Sequence, residues 1–147
     1  MAYITGENLI AALVKAHANF SASNVSQGKW HYLDSGDSDH YAIIKHGGTE
    51  MEWISVGKVK VDHHTTIIQV WQHYTNDGDT ITALHGYVAN AMKQINNNQK
   101  LGDTSGIVQN AMVIELGEVE EMWSRGGGLE WLKQDVMVGW KEQVTVS

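Results

Sequence analysis

Between residues 132 and 146 the chain alternates. Leu132, Val136, Val138, Trp140, Val144 and Val146 share one parity, and Lys133, Asp135, Lys141, Gln143 and Thr145 share the other. A period of two predicts a half-buried strand. A second strand-like run begins near Ile107, and a charged turn containing Gly126, Gly127 and Gly128 separates the two. The region 107–147 therefore predicts two closing strands joined as a hairpin. The glycine run reads as its tip, because no Lys-Ser/Thr follows it to make a phosphate cradle.

The periodicity elsewhere predicts two helices and more strands. Leu9, Ile10, Leu13, Val14 and His17 mark one face of a first helix. Thr5 is its expected N-cap, Ile4 and Leu9 a hydrophobic staple, and Glu7 a first-turn acid, with the end near residues 18–20. Residues 21–39 read as a long loop with a short strand over 29–33. Residues 41–46 predict a short strand ended by Gly47 and Gly48. A further strand is expected within 50–61, where Val59 and Val61 alternate with Lys58, Lys60 and Asp62. Residues 65–74, TTIIQVWQHY, are rich in β-branched and aromatic side chains and predict the central strand. A second helix follows, capped by Asp79 or Thr80, with Ile81, Leu84, Val88, Ala91, Met92 and Ile95 on one face and Asn96, Asn97, Asn98 and Gly102 at its end. Strands in blocks with two helices predict a single α+β domain over 1–147 with a mostly antiparallel sheet. The loop 21–40 and the hairpin arm 47–64 are expected to protrude.

Composition narrows the function classes. In a chain of 147 residues, 42% are hydrophobic, enough for one core. The net charge of −7 excludes a cationic coat for gripping nucleic acid. The chain has no Cys, which removes disulfides and thiolate metal sites. No leading stretch has the flanks of a signal peptide, and no run approaches a membrane span, so no membrane partner is expected. Six Trp and five Tyr suit partly buried positions and interfaces.

Catalytic patterns do not emerge. His63 and His64 follow Asp62, but adjacent residues on a strand face opposite ways, so the pair cannot easily hold one ion. DSGDSDH (34–40) carries Asp34, Asp37 and Asp39 without the spacing of a calcium loop, and reads as a solvated turn. His17 and His85, on or near apolar helix faces, read as packed histidines. No nucleophile elbow, P-loop or dinucleotide fingerprint is present. The expectation is no enzyme, no catalytic residue, no metal and no cofactor. A small His/Asp metal-dependent hydrolase and a monomeric small-ligand module stand as alternatives from other classes. Glu115, Glu118, Glu120 and Glu121 form an acidic run that reads as a solvated strand end, or as one arc of an acidic ring in a cyclic oligomer.

The order of an opening helix, the strand TTIIQVWQHY, the amphipathic helix over 80–96 and the closing strand WLKQDVMVGWKEQV (131–144) resembles the tail terminator, or tail completion, proteins of long-tailed bacteriophages. The resemblance spans about three-quarters of the chain as element order, without a diagnostic motif. The loop 21–39 and the many His and Trp depart from it, which keeps a head–tail adaptor or tail tube protein as the alternative. It implies a structural virion protein in the phage neck: a homo-oligomeric ring, commonly a hexamer, assembled in the host cytoplasm. Such a ring caps the tail tube and meets the head–tail connector, with DNA passing through without specific binding. Trp53, Trp123, Arg125 and Leu129 are then the expected contacts between subunits, and the four glutamates the expected lumen-facing acids.

Overall fold

The computed structural model describes residues 2–16, 20, 23–27, 33–36, 38–103 and 105–145. In chain order the elements are α1 (Ala2–Lys15), β1 (Val25–Gln27), β2 (His40–Ser55), β3 (Val59–His73), α2 (Asp77–Asn96), β4 (Gln109–Leu116), β5 (Glu120–Trp123) and β6 (Leu129–Thr145). The strands form one sheet in the order β1-β2-β3-β6-β4, with β5 pairing β6 beyond the end of β4. All pairings are antiparallel except the short β1–β2 ladder. The fold is a single α+β domain, as the order of periodic segments predicts.

The central strand is longer than the run that announced it. β3 pairs along its whole length with β6, from Val59 opposite Thr145 to His73 opposite Trp131. Its even-numbered residues from Thr66 to Val70 enter the main core beside Val136 and Val138 of β6. The alternation read from β6 is thus its true facing: Leu132, Val136, Val138 and Trp140 are buried under the helices. Val146 lies outside the described residues.

Gly47 and Gly48 do not end a strand. β2 runs through them, and the register shifts by one residue between His46 and Gly48. This is a β-bulge, and Gly48 sits at φ 128, a conformation open to glycine. The bulge inverts the parity of β2. Ala42 and Ile44 face the helices before it, whereas Thr49, Met51 and Trp53 share that side after it, opposite His64, Asp62 and Lys60. The separate strand expected within 50–61 is therefore the outer half of this hairpin. The strand expected over 29–33 lies mostly outside the described residues; Leu33 is not in a strand, and the short strand falls at Val25–Gln27 instead.

Both helix starts are displaced from their expected caps. α1 begins at Ala2, so Thr5 lies inside it and Glu7 is not in the first turn. Glu7 is buried instead, on the stripe with Ile10, Ala11 and Val14. α1 ends at Lys15, ahead of residues 18–20, and His17 lies outside the described residues. α2 is capped by Asn76, whose side chain accepts from the Asp79 amide at 2.9 Å and donates to the Asp79 carboxylate at 2.9 Å. Thr80 is buried, its hydroxyl accepting from the Thr75 amide at 3.0 Å. Its buried stripe is Thr80, Leu84, Val88, Ala91 and Ile95, and Ile81 is exposed.

Both helices cover one face of the sheet, and Trp140 is the largest fully buried side chain there. Its indole donates to Thr66 Oγ1 at 3.1 Å. α1 approaches it through Gly6: a Cβ at that position would stand 2.2 Å from Trp140 Cζ2. The other face carries a smaller cluster of Tyr41, Ile43, Trp71 and Trp131, with Leu33 and Met122 packed against it. Between α2 and β4, Asp103 organises the loop. Its carboxylate accepts from Ser105 N and Oγ and from the amides of Ile107 and Val108, at 2.6–2.9 Å.

Three measurements check this packing. Trp140→Ala should lower stability by about 3–5 kcal/mol, as for other large aromatics removed from a core; an unchanged urea midpoint would contradict its burial. Gly6→Ala should destabilise although alanine favours helices by about 1 kcal/mol, because overpacking a rigid neighbour costs about 1–3 kcal/mol. Hydrogen bonds to Asp103, the Ser105 hydroxyl foremost, lower its pKa from 3.8 to about 2. Its folded value lies below its unfolded one, so the stabilisation is complete above about pH 4 and is lost as pH falls towards 2. Asp103→Asn should accordingly flatten the acid limb of a stability–pH curve across that window.

Candidate assembly surface

The outer half of the β2–β3 hairpin stands away from the main core. Every residue from Gly48 to Lys58 is exposed. Among them are Met51, Trp53, Ile54 and Val56, the last 97% exposed. Four large apolar side chains on an exposed arm make it a candidate contact surface. Trp53 lies under the Lys60 ammonium, 5.9 Å from its ring centre, and Lys60 Nζ reaches Met51 Sδ at 3.3 Å. The lysine stem thereby packs the arm's side chains in place. Gly57, at φ 71, turns the tip, and Lys58 N donates to Ser55 O at 3.0 Å.

The backbone of this arm is open along one side. β1 pairs only with Ala42, Ile43 and Ile44, so among the described residues no strand covers β2 from Gly48 onward. The opposite border of the sheet is different. β4 carries exposed Met112, Ile114 and Leu116, but its amides are partly taken. Ala111 N donates at 2.7 Å to the carbonyl of Gln99, in the loop after α2, and Val113 N at 3.1 Å to Oδ1 of Asn96, the last residue of α2. The β4 border thus offers apolar side chains, and the β2 arm offers side chains and a free ladder.

A groove of about 900 Å³ lies between these borders on the face away from the helices. Its floor follows from register: Gly48, Thr65, Gly139 and Met112 stand in one row across β2, β3, β6 and β4. Of the two glycines in that row, Gly48 has open space where a side chain would stand. Ile114 folds over Gly139, where a Cβ would meet Ile114 Cγ2 at 2.9 Å. Glu50, His63 and Lys141 form the next row on that face, and His63 Nε2 pairs with Oε2 of Glu52, one row further, at 2.9 Å.

The remaining expected contact residues are placed unevenly. Trp123 ends β5 and is 60% exposed. Arg125 is exposed in the turn that follows, where Ser124 N donates to Gly128 O at 2.8 Å and Gly127 takes φ 86. Leu129 is half-buried and packs against the main core. The four acidic residues do not share one direction. Glu115 on β4 and Glu120 on β5 fall on the face away from the helices, and Glu121 is the neighbour of Leu132 on the other. Glu118 is exposed between the strands. Glu120 is committed within the subunit: its carboxylate meets Lys133 Nζ at 2.9 Å, and that ammonium also sits 5.6 Å above the Trp71 ring.

Among the titratable groups, Asp34 closes its own turn by accepting from Gly36 N at 2.9 Å. Asp39 pairs with His40 Nδ1 at 2.6 Å, and that hydrogen bond lowers its pKa. Asp37 lies outside the described residues. His63 and His64 point to opposite faces, as adjacent strand residues must. His64 is buried, with Nδ1 2.7 Å from Thr49 Oγ1 and Nε2 3.2 Å from Glu142 Oε1. Its ring stacks obliquely on Trp140 with centres 4.4 Å apart. His46, nearby, is pushed below its usual pKa, first by burial and then by His64. The pairing of Asp62, His64 and Glu142 escaped the sequence because Glu142 is 78 residues from His64; only the register of β3 on β6 reveals it. Among the described residues no helix is long and apolar enough to cross a membrane.

No protein-family model matches this chain, and no curated protein matches it.

Proposed function

We propose that this protein is a structural ring subunit of a phage neck, of the tail terminator kind. It caps the tail tube, joins it to the head–tail connector, and leaves a passage for DNA. The observation that carries this reading is the open, apolar-flanked edge of the β2 arm. A free ladder with Met51, Trp53, Ile54 and Val56 beside it is suited to pairing with another chain.

The surface opposite is apolar but not equivalent: Met112, Ile114, Leu116 and Trp123 lie on and beside the other border. An arm-to-border contact is heterologous, with different patches meeting, and such contacts close into rings when the rotation allows. The net charge of −7, repeated around a ring, would repel passing DNA rather than hold it. Among the described residues Glu115, Glu118 and Glu121 make no ion pair and are left for that role, whereas Glu120 is held by Lys133. A head–tail adaptor or a tube subunit would use the same kind of edge and differ in its partner.

Light scattering during size-exclusion chromatography, followed by electron microscopy, tests the reading. The expected result is a closed ring, alone or on purified tail tubes. A monomer at high concentration that also ignores tubes and connectors would overturn it, and binding to connectors alone would favour the adaptor. Trp53→Ala and Trp123→Ala should each weaken assembly by about tenfold or more, as for aromatic anchors. Both side chains are half-exposed or more, so the monomer's stability should change by only about 0.5 kcal/mol. Retained rings in either variant would remove that residue from the interface.

A further inference from the structure

We propose that Asp62, His64 and Glu142 form a binding site for one divalent metal ion of the zinc class, at the root of the arm. Their ligand atoms lie within 4.8 Å of one another. Asp62 and His64 share a face of β3, and Glu142 stands directly opposite Asp62 on β6. His64 Nε2 and Glu142 Oε1 are 3.2 Å apart. A tetrahedral ion with bonds of about 2.0–2.2 Å sets its ligand atoms about 3.3–3.6 Å apart, so this pair needs to open by only about 0.1–0.4 Å to form one edge.

Electrostatics points the same way. Two carboxylates directly opposite on a sheet repel. Asp62 is only 7% exposed, and its Oδ1 is buried without a hydrogen bond. The Lys60 ammonium lies 3.2 Å from that oxygen, an ion pair without the alignment of a hydrogen bond. Two carboxylates and one ammonium leave a net negative charge in a poorly solvated place, which a dication reverses. The imidazole is oriented for this use. Thr49 Oγ1 holds Nδ1 at 2.7 Å, and the ring leans on Trp140, so Nε2 faces the carboxylates. A hydrogen bond on the second ring nitrogen is the usual outer-shell support of a metal-bound histidine. One imidazole with two carboxylates suits zinc or manganese better than magnesium, which prefers oxygen ligands alone. The side chain of Glu142 is 16% exposed, so the site opens to solvent on its side. The three side chains share the helix-bearing side of the sheet, and a bound ion would tie β3 to β6 beneath the arm.

Calorimetric titration of the chelator-treated full chain with zinc chloride tests the site, with magnesium chloride as the control. The expected result is one zinc per chain, no saturable magnesium binding, and a zinc-dependent rise in Tm. Glu142→Gln and Asp62→Asn should each weaken zinc binding by at least about tenfold, whereas His63→Gln, on the opposite face, should leave it unchanged. Circular dichroism of each variant confirms that it is folded; if one is not, the other carboxylate variant decides. Absence of saturable zinc binding would overturn the proposal. So would zinc binding that survives both carboxylate variants, or binding lost in His63→Gln. A proton on His64 satisfying the carboxylates would appear as the first of these. Ring formation is read separately and does not decide this site.

Discussion

The contact between Gly6 and Trp140 is the constraint on which the rest of the domain depends. An indole is too large to be buried by a sheet alone, so something must lie flat on it. α1 can do so only where it lacks a side chain, and Gly6 supplies that place. Burying the ring also requires a partner for its N–H, which Thr66 provides from the neighbouring strand. The same indole walls in His64. One aromatic ring thereby ties a helix, β6 and β3 together, and sets the boundary where the packed core gives way to the exposed arm.

Much of this was legible in the sequence. The alternation over 132–140 gave the facing of β6 correctly, because a strand with one core side must keep its parity. The stripe Leu84, Val88, Ala91 and Ile95 likewise placed α2. Helix starts were less legible: Thr5 and Asp79 are reasonable caps by residue type, but the chain was already helical before Thr5, and Asn76 reached the Asp79 amide first. Gly47 and Gly48 looked like a stop because two glycines usually break a strand. They make a bulge instead, since β3 pairs with β2 on both sides of them. The protruding arm over 47–64 was expected, but which of its sides lacks a strand partner, and the Asp62–His64–Glu142 group, could not be read, because both depend on which strands lie side by side.

The sheet distributes its roles by face and by border. One face is closed by two helices, and among the described residues the other is closed by the cluster of Tyr41, Ile43, Trp71 and Trp131. Farther along that second face Ile114 folds over Gly139, and Gly48 leaves the sheet open beside it. Of the two borders, one has backbone amides partly met by Gln99 and Asn96, and the other, along the arm from Gly48, has no strand partner among the described residues. The two borders are thus unlike surfaces, and a contact between unlike surfaces either closes into a ring or runs on as a filament, whereas a two-fold pair joins like surfaces.

The bulge in β2 works like a shift of reading frame. Read without its extra residue, Gly48 would fall opposite His64, Thr49 opposite His63, and Glu50 opposite Asp62. A third carboxylate would then crowd the two already facing each other, and Thr49 would leave the imidazole it steadies. With the extra residue, the frame of the arm is set independently of the frame of the root. Each half of the strand then keeps its own set on that side: buried Ala42 and Ile44 before the bulge, and exposed Thr49, Met51 and Trp53 after it. One inserted residue lets a single strand belong to two differently built layers.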